Sequence, residues 1–130
     1  MTETALRHLW IVTIAIMVAV IIAASLAPSP LFPETGISDK VGHYLAYLTL
    51  ALLGSGIAAP ERLWLSMLRC FLLGAALEIG QALVTSHRSA EWGDLLANVS
   101  GILTAWLIAG SGRAGWGIRA AAWLDRRRSS

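Results

Sequence analysis

Residues 9–27 read LWIVTIAIMVAVIIAASLA, and none of them is charged. A helix needs ~20 mostly apolar residues to cross the hydrocarbon of a bilayer, and this run supplies them. Prolines at 28, 30 and 33 stop it, because proline cannot continue a helix and favours extended backbone before it. Comparable runs follow at about 41–59, ending at Pro60, at 63–84 and at 95–110. The last is short enough to need its polar start at the membrane surface. Of the 130 residues, 56% are hydrophobic and 14% charged, against roughly 25% charged in a soluble domain. The natural solvent for such a chain is a bilayer. The expectation is an all-α fold, a polytopic membrane four-helix bundle forming a single domain over 1–130.

Arg7 before the first run and the small residues AASLA at its end also fit a signal peptide. A signal h-region is ~7–15 residues, and this run is longer, so a retained helix is expected. The spans at 41–59 and 63–84 are joined by a very short loop and should be antiparallel neighbours. The tail at 113–130, RAGWGIRAAAWLDRRRSS, carries Trp and Arg suited to a surface-lying segment. Trp10, Trp64, Trp92, Trp106 and Trp116 lie near span ends and fit interfacial belts.

Four spans put both termini on one side. Arg7, Arg62, Arg113, Arg119, Arg126, Arg127 and Arg128 gather there, and Lys40 and Arg88 on the other; Arg69 lies inside the third span and is left out. Basic residues favour the inside, so both termini are expected in the cytoplasm, with the loops at 28–40 and 85–94 outside. The sequence has no Walker loop, GxGxxG run or metal-ligand Cys motif, and no cofactor is expected. Cys70 is the only cysteine, a small core residue that has no disulfide partner in the chain. The basic tail lacks a nucleic-acid module, so nucleic acid is not an expected partner.

Three spans carry a polar stripe at their outer ends. Asp39, His43 and Tyr47 are spaced i, i+4, i+8 and share a helix face, with Lys40 and Tyr44 on the adjacent stripe. Glu78, Gln81 and Thr85 line the third span, and Glu91, Asp94, Asn98 and Gly101 the fourth, with Ala105 extending that face. The first span offers only Thr13 and Ser25. Ionisable groups inside spans normally face a bundle interior or a wet cavity and pair with one another, so the three stripes should converge. The cluster is open to a structural role, tying the helices together, or to a binding or reaction site at the outer leaflet. Ser38 is also a candidate helix cap, and Asp94 a cap or first-turn acid of the fourth span. Lys40 and Arg88 could hold a phosphate or carboxylate. His43 with Glu78 and Asp94 could ligate a divalent ion, but no tight His/Glu spacing supports this, and no metal is expected. No nucleophile is placed well enough to name a reaction.

The ordered set DKVGHYLAY, EIGQ, Arg88 and DLLANVSG resembles the VanZ-like family of small bacterial membrane proteins, over Asp39 to about Gly110. Tyr44 stands where the family often has Phe after its His, and the basic, Trp-containing tail is not part of the pattern. The resemblance implies a bacterial inner-membrane, multi-pass protein of the cell envelope. The family's namesake is associated with low-level resistance to the lipoglycopeptide teicoplanin. By position, its polar residues correspond to Asp39, Lys40, His43, Tyr47, Glu78, Gln81, Arg88, Asp94 and Asn98. The functional expectation is a non-enzymatic protein that binds membrane lipid headgroups or a lipoglycopeptide through this cluster and contributes to resistance. The alternatives are an integral-membrane enzyme acting on a lipid-linked substrate, with His43, Glu78 or Asp94 as acid or base, and a purely structural or partner-binding bundle.

Overall fold

Each apolar run folds as a helix, and the helices end where proline, glycine or polar punctuation intervenes. The computed structural model describes residues 3–27, 36–84 and 91–128. Among these, α1 spans Glu3–Leu26, α2 Gly36–Ile57, α3 Leu63–Val84, α4 Trp92–Gly110 and α5 Trp116–Arg128, and there is no strand. A 3-10 turn, Pro60–Arg62, joins α2 to α3. It begins with proline, which fits the first position of a helix because its missing N–H would be unsatisfied there anyway.

Several boundaries differ from expectation. The first helix starts at Glu3 rather than residue 9, since nothing in ETALRH breaks a helix. The second starts at Gly36, which puts Ser38 inside the first turn instead of at the cap. The fourth starts at Trp92, with Glu91 in extended backbone as the capping residue and no side-chain cap bond. Asp94 is therefore a first-turn acid and not the cap; a negative charge there still suits the helix dipole. The tail folds as a helix: α5 packs against both α1 and α2, so the described bundle has five α-helices rather than four.

Three helical segments are long and apolar enough to cross a membrane: Thr4–Leu26, Pro60–Val84 and Trp92–Gly110. The expected span at 41–59 is not among them. At 22 residues, α2 is about 33 Å long at ~1.5 Å per residue, but Asp39, Lys40, His43 and Tyr44 crowd its first turns. Its position compensates, because α2 contacts each of the other four α-helices and so meets protein where α1 and α3 meet their surroundings. Large apolar side chains point outward along α1, α3 and α4, among them Val12, Ile16, Leu72, Leu83 and Leu107. That is the reverse of a water-soluble bundle.

Side-chain contacts fix the helix directions. Lys40 near the start of α2 meets Asp94 near the start of α4, so these two helices run the same way. Gln81 near the end of α3 reaches the Ser25 carbonyl near the end of α1, so α1 and α3 run the other way. The α2–α4 crossing is close enough to require glycine. A Cβ on Gly101 would collide with the Tyr44 carbonyl oxygen and stand 2.8 Å from the Leu48 nitrogen, the small-residue packing by which membrane helices approach. Tyr47, Leu50 and Ala51 of α2, Met67 and Cys70 of α3, and Ile102 and Ala105 of α4 fill the core beside it.

The opposite end is closed by indoles and backbone. The Trp10 Nε1 donates to the Leu53 carbonyl at 2.7 Å, and the Trp116 Nε1 to the Leu52 carbonyl at 3.1 Å. The two rings meet edge to face at 5.1 Å. Trp10 and Trp116 thus clamp helices together, Trp116 while still 37% exposed, and Trp64, Trp92 and Trp106 are exposed as well. The turn after α4 uses positive φ at Gly112 and Gly115 (86° and 73°), and the Gly115 N–H donates to the Ser55 carbonyl at 2.7 Å. Arg119 then caps the Ala114 carbonyl at 2.6 Å.

Candidate functional site

The first turns of α2 and α4 lie side by side because the two helices run parallel, so residues four apart on each helix face residues four apart on the other. Lys40 Nζ lies 3.3 Å from Glu91 Oε2 and 3.5 Å from Asp94 Oδ1. Its aliphatic stem crosses Gly93, where a Cβ would come within 2.6 Å of the lysine Cε. One turn deeper, the His43 Nδ1 is 3.0 Å from Asn98 Oδ1. An amide oxygen only accepts, so Nδ1 carries the proton and donates. The other ring nitrogen, Nε2, faces Asp94 Oδ2 at 3.8 Å and Asp39 Oδ1 at 4.0 Å, too far for hydrogen bonds. Asp94 therefore divides its oxygens between Lys40 and His43. On the flank of the pair, the Tyr44 hydroxyl donates to Thr104 Oγ1 at 3.1 Å.

The floor is tightly packed. Tyr47 and Asn98 are each 2% exposed and sit over Gly74 of α3, where a Cβ would stand 3.1 Å from the Tyr47 ring and 3.3 Å from Asn98 Nδ2. Glu78 is buried one turn further along α3, near enough for its charge to act on Tyr47. Gln81 is buried too, and its Nε2 donates to the Ser25 carbonyl of α1 at 2.6 Å. Lys40 lies at the exposed rim with Glu91 and Asp39. The hydrogen bond to Glu91, then the charge of Asp94, hold its ammonium above the ordinary lysine range.

Of the expected site residues, Asp39, Lys40, His43, Asp94 and Asn98 form one chain of contacts between α2 and α4. Tyr47 lies beneath that chain, and Glu78 and Gln81 are buried on α3. Gln81 differs from expectation in reaching α1, because the α1 backbone ends opposite it and offers a carbonyl. Arg88 and Thr85 lie outside the described residues. Three participants were not among the expected site residues. Glu91 was legible on the Asp94 stripe but was not counted as a partner of Lys40. Thr104 lies three residues beyond Gly101 on α4. Gly74 is silent in sequence terms, since only its neighbours reveal that it makes room.

The metal-ligating geometry also differs from the set first considered. One donor atom each from Asp39, His43 and Asp94 lies within 4.8 Å of the others, with Asp39 in the place that Glu78 was considered for. The reason is register: Asp39 is one turn before His43 on the same helix, whereas Glu78 is buried on α3. An imidazole and two carboxylates are suitable donors for a divalent transition ion at ~2.0–2.2 Å, and Asn98 orients the ring as an outer partner would.

Comparison with known proteins adds no relative to set beside this geometry: no family model matches the chain, and no curated protein or solved structure matches it.

Proposed function

We propose that the chain is a VanZ-like protein of the bacterial inner membrane that binds an amphiphile, a lipid headgroup or a lipoglycopeptide, at the outward-facing polar end of α2 and α4. In this reading α1 to α4 cross the bilayer, both termini are cytoplasmic, and α5 lies along the inner surface. Two observations support the orientation. Arg7, Arg62, Arg113, Arg119, Arg126 and Arg127 lie at or near the end closed by the tryptophans, and Lys40 lies at the other, the bias that favours basic residues inside.

The distribution of charge within the cluster carries the binding reading. One of its ion pairs is at the rim, with the Lys40 side chain 44% and the Glu91 side chain 59% exposed. Beneath it lie the buried acids Asp94 and Glu78 and the neutral Tyr47 and Asn98. A cluster serving only to hold helices together gains little from an ion pair in such a place, because exposed pairs contribute little to stability. That pair can be exchanged: an incoming phosphate or carboxylate replaces Glu91 on Lys40, with His43 and Tyr44 beside it as hydrogen-bonding groups. Contribution to teicoplanin resistance follows if the amphiphile is that lipoglycopeptide.

The test is thermal stabilisation of the purified protein in detergent by teicoplanin and, separately, by a short-chain phospholipid. Stabilisation by either, lost in Lys40→Gln and His43→Gln, supports the reading. Failure of both to stabilise the wild-type protein, or an equal response in the variants, overturns it. Orientation is read independently from cysteine labels: Ser29→Cys and Ser86→Cys should react from outside, and Ser129→Cys should not.

The His43 geometry favours one second reading, an enzyme acting on a lipid-linked substrate. With Nδ1 committed to Asn98, Nε2 is directed toward Asp94 and available as a general base. That reading requires turnover by purified protein with a bell-shaped pH profile that disappears in His43→Gln.

A further inference from the structure

Arg69 is the basic residue that the charge balance leaves aside, and no role at the polar end can absorb it. It sits on α3 seven residues after Arg62, two turns or about 10 Å further along at ~1.5 Å per residue. A guanidinium at that depth in a spanning segment is costly unless it snorkels to the surface or meets an anion. Both arginines line a cleft of about 570 Å³ between α1 and α3, together with Arg7 on the facing helix. Among the described residues, no acidic side chain lines this cleft. Its walls continue as apolar surface, with Ile14 and Val18 on α1 and Leu73 on α3.

The cleft is polarised along its length. Because α1 and α3 run in the same direction, Arg7 and Arg62 lie at the same end, and Val18 and Leu73 lie about 16 Å deeper on their helices at ~1.5 Å per residue. A basic mouth opening into an apolar channel of that length complements a phosphate joined to an acyl chain. Arg62 and Arg69 are like charges on one helix, and a bound phosphate between them turns their repulsion into attraction to a shared anion. Arginine forks match phosphate oxygens in a bidentate way, and basic pockets between spanning helices on the cytoplasmic side hold anionic headgroups.

We infer that the α1–α3 cleft is a binding site for an anionic glycerophospholipid of the inner leaflet, with its phosphate between Arg62 and Arg69 and one acyl chain along Ile14, Val18 and Leu73. This site lies at the opposite end of the bundle from Lys40 and His43, and neither site depends on the other.

The test uses the full-length protein in nanodiscs of phosphatidylcholine with and without phosphatidylglycerol, with retained lipid counted by native mass spectrometry. Phosphatidylglycerol should be retained in preference to phosphatidylcholine. Arg62→Gln and Arg69→Gln should each reduce that preference roughly fivefold, the effect of about one basic contact at a membrane surface. Leu73→Trp, which keeps all three charges and fills the apolar wall, should reduce retention as well. Arg113→Gln, at an exposed arginine outside the cleft, should leave the preference unchanged, which separates this site from a general effect of positive charge. Equal retention of the two lipids, or an undiminished preference in the Arg62→Gln/Arg69→Gln double variant, would overturn the inference. Displacement of the lipid by millimolar inorganic phosphate would also overturn it, by reducing the site to one for simple anions. If a glutamine variant fails to insert, Arg69→Lys keeps the charge and loses the fork, and an unchanged preference there contradicts the bidentate contact.

Discussion

The two ends of the bundle are held by different chemistry. At the end where α2 and α4 begin, the polar contacts between these two helices join side chain to side chain: Lys40 with Glu91 and Asp94, and His43 with Asn98. At the other end, side chains and turn amides bind backbone: Trp10 and Trp116 to the carbonyls of Leu53 and Leu52, Gly115 to Ser55, Arg119 to Ala114. Of these carbonyls, that of Ser55 lies in the last turn of α2, where a carbonyl has no intrahelical partner, so the turn amide that satisfies it serves the fold and cannot be withdrawn cheaply. Side-chain pairs at an exposed rim can change partners. In the proposed reading the tryptophan end serves structure and the polar end exchange, and that contrast can be broken by substitutions at each.

The largest effect is expected from Trp10→Ala. It removes an indole packed against Gly56 and Gly117 together with its hydrogen bond, a loss of roughly 3 kcal/mol or more for a large aromatic. Thermal unfolding in detergent should shift strongly downward, while amphiphile binding per folded molecule stays at the wild-type level. Asn98→Leu comes next. It leaves the His43 N–H without its acceptor, and a buried unsatisfied donor costs about 1–3 kcal/mol; here binding should fall along with stability. Gly115→Ala places a side chain at φ 73° and should cost roughly 1–2 kcal/mol, again with no effect on binding. The smallest stability change belongs to Lys40→Gln, whose side chain is exposed, yet its loss of binding should be among the largest. The raised Lys40 value fixes the sign of its pH dependence. Its contribution is fully present below the unfolded lysine pKa and is lost only as pH rises through the higher folded value. The difference in unfolding temperature between Lys40→Gln and wild type should therefore be flat from about pH 7 to 9 and shrink above about 10.5.

Helical periodicity alone made much of this legible. The four apolar runs became α1 to α4, and the i, i+4 phases of Asp39 with His43 and of Asp94 with Asn98 placed those residues on facing surfaces. What escaped was whatever depends on the partner helix. Nothing local says that α2 and α4 touch most closely, because that follows from Gly101 meeting the Tyr44 carbonyl. Trp10 fits an interfacial belt by position, and only the glycines at 56 and 117, distant in sequence, turn it inward. The fold of α5 escaped because thirteen residues ending in consecutive arginines carry a weak apolar signal, and its stability comes from packing on α1 and α2. Asp39 displaced Glu78 in the ligating trio because depth along α3 sets which carboxylate can reach His43.

The central claim is that the polar end is an exchangeable site and the tryptophan end is not. The most direct measurement is a paired titration of Lys40→Gln and Trp10→Ala with the stabilising amphiphile, recording binding and unfolding temperature on the same samples. The account predicts that Lys40→Gln loses binding at near wild-type stability and that Trp10→Ala loses stability at wild-type binding. If the two variants lose binding and stability in the same proportion, the polar cluster is another structural clamp, and the claim is wrong.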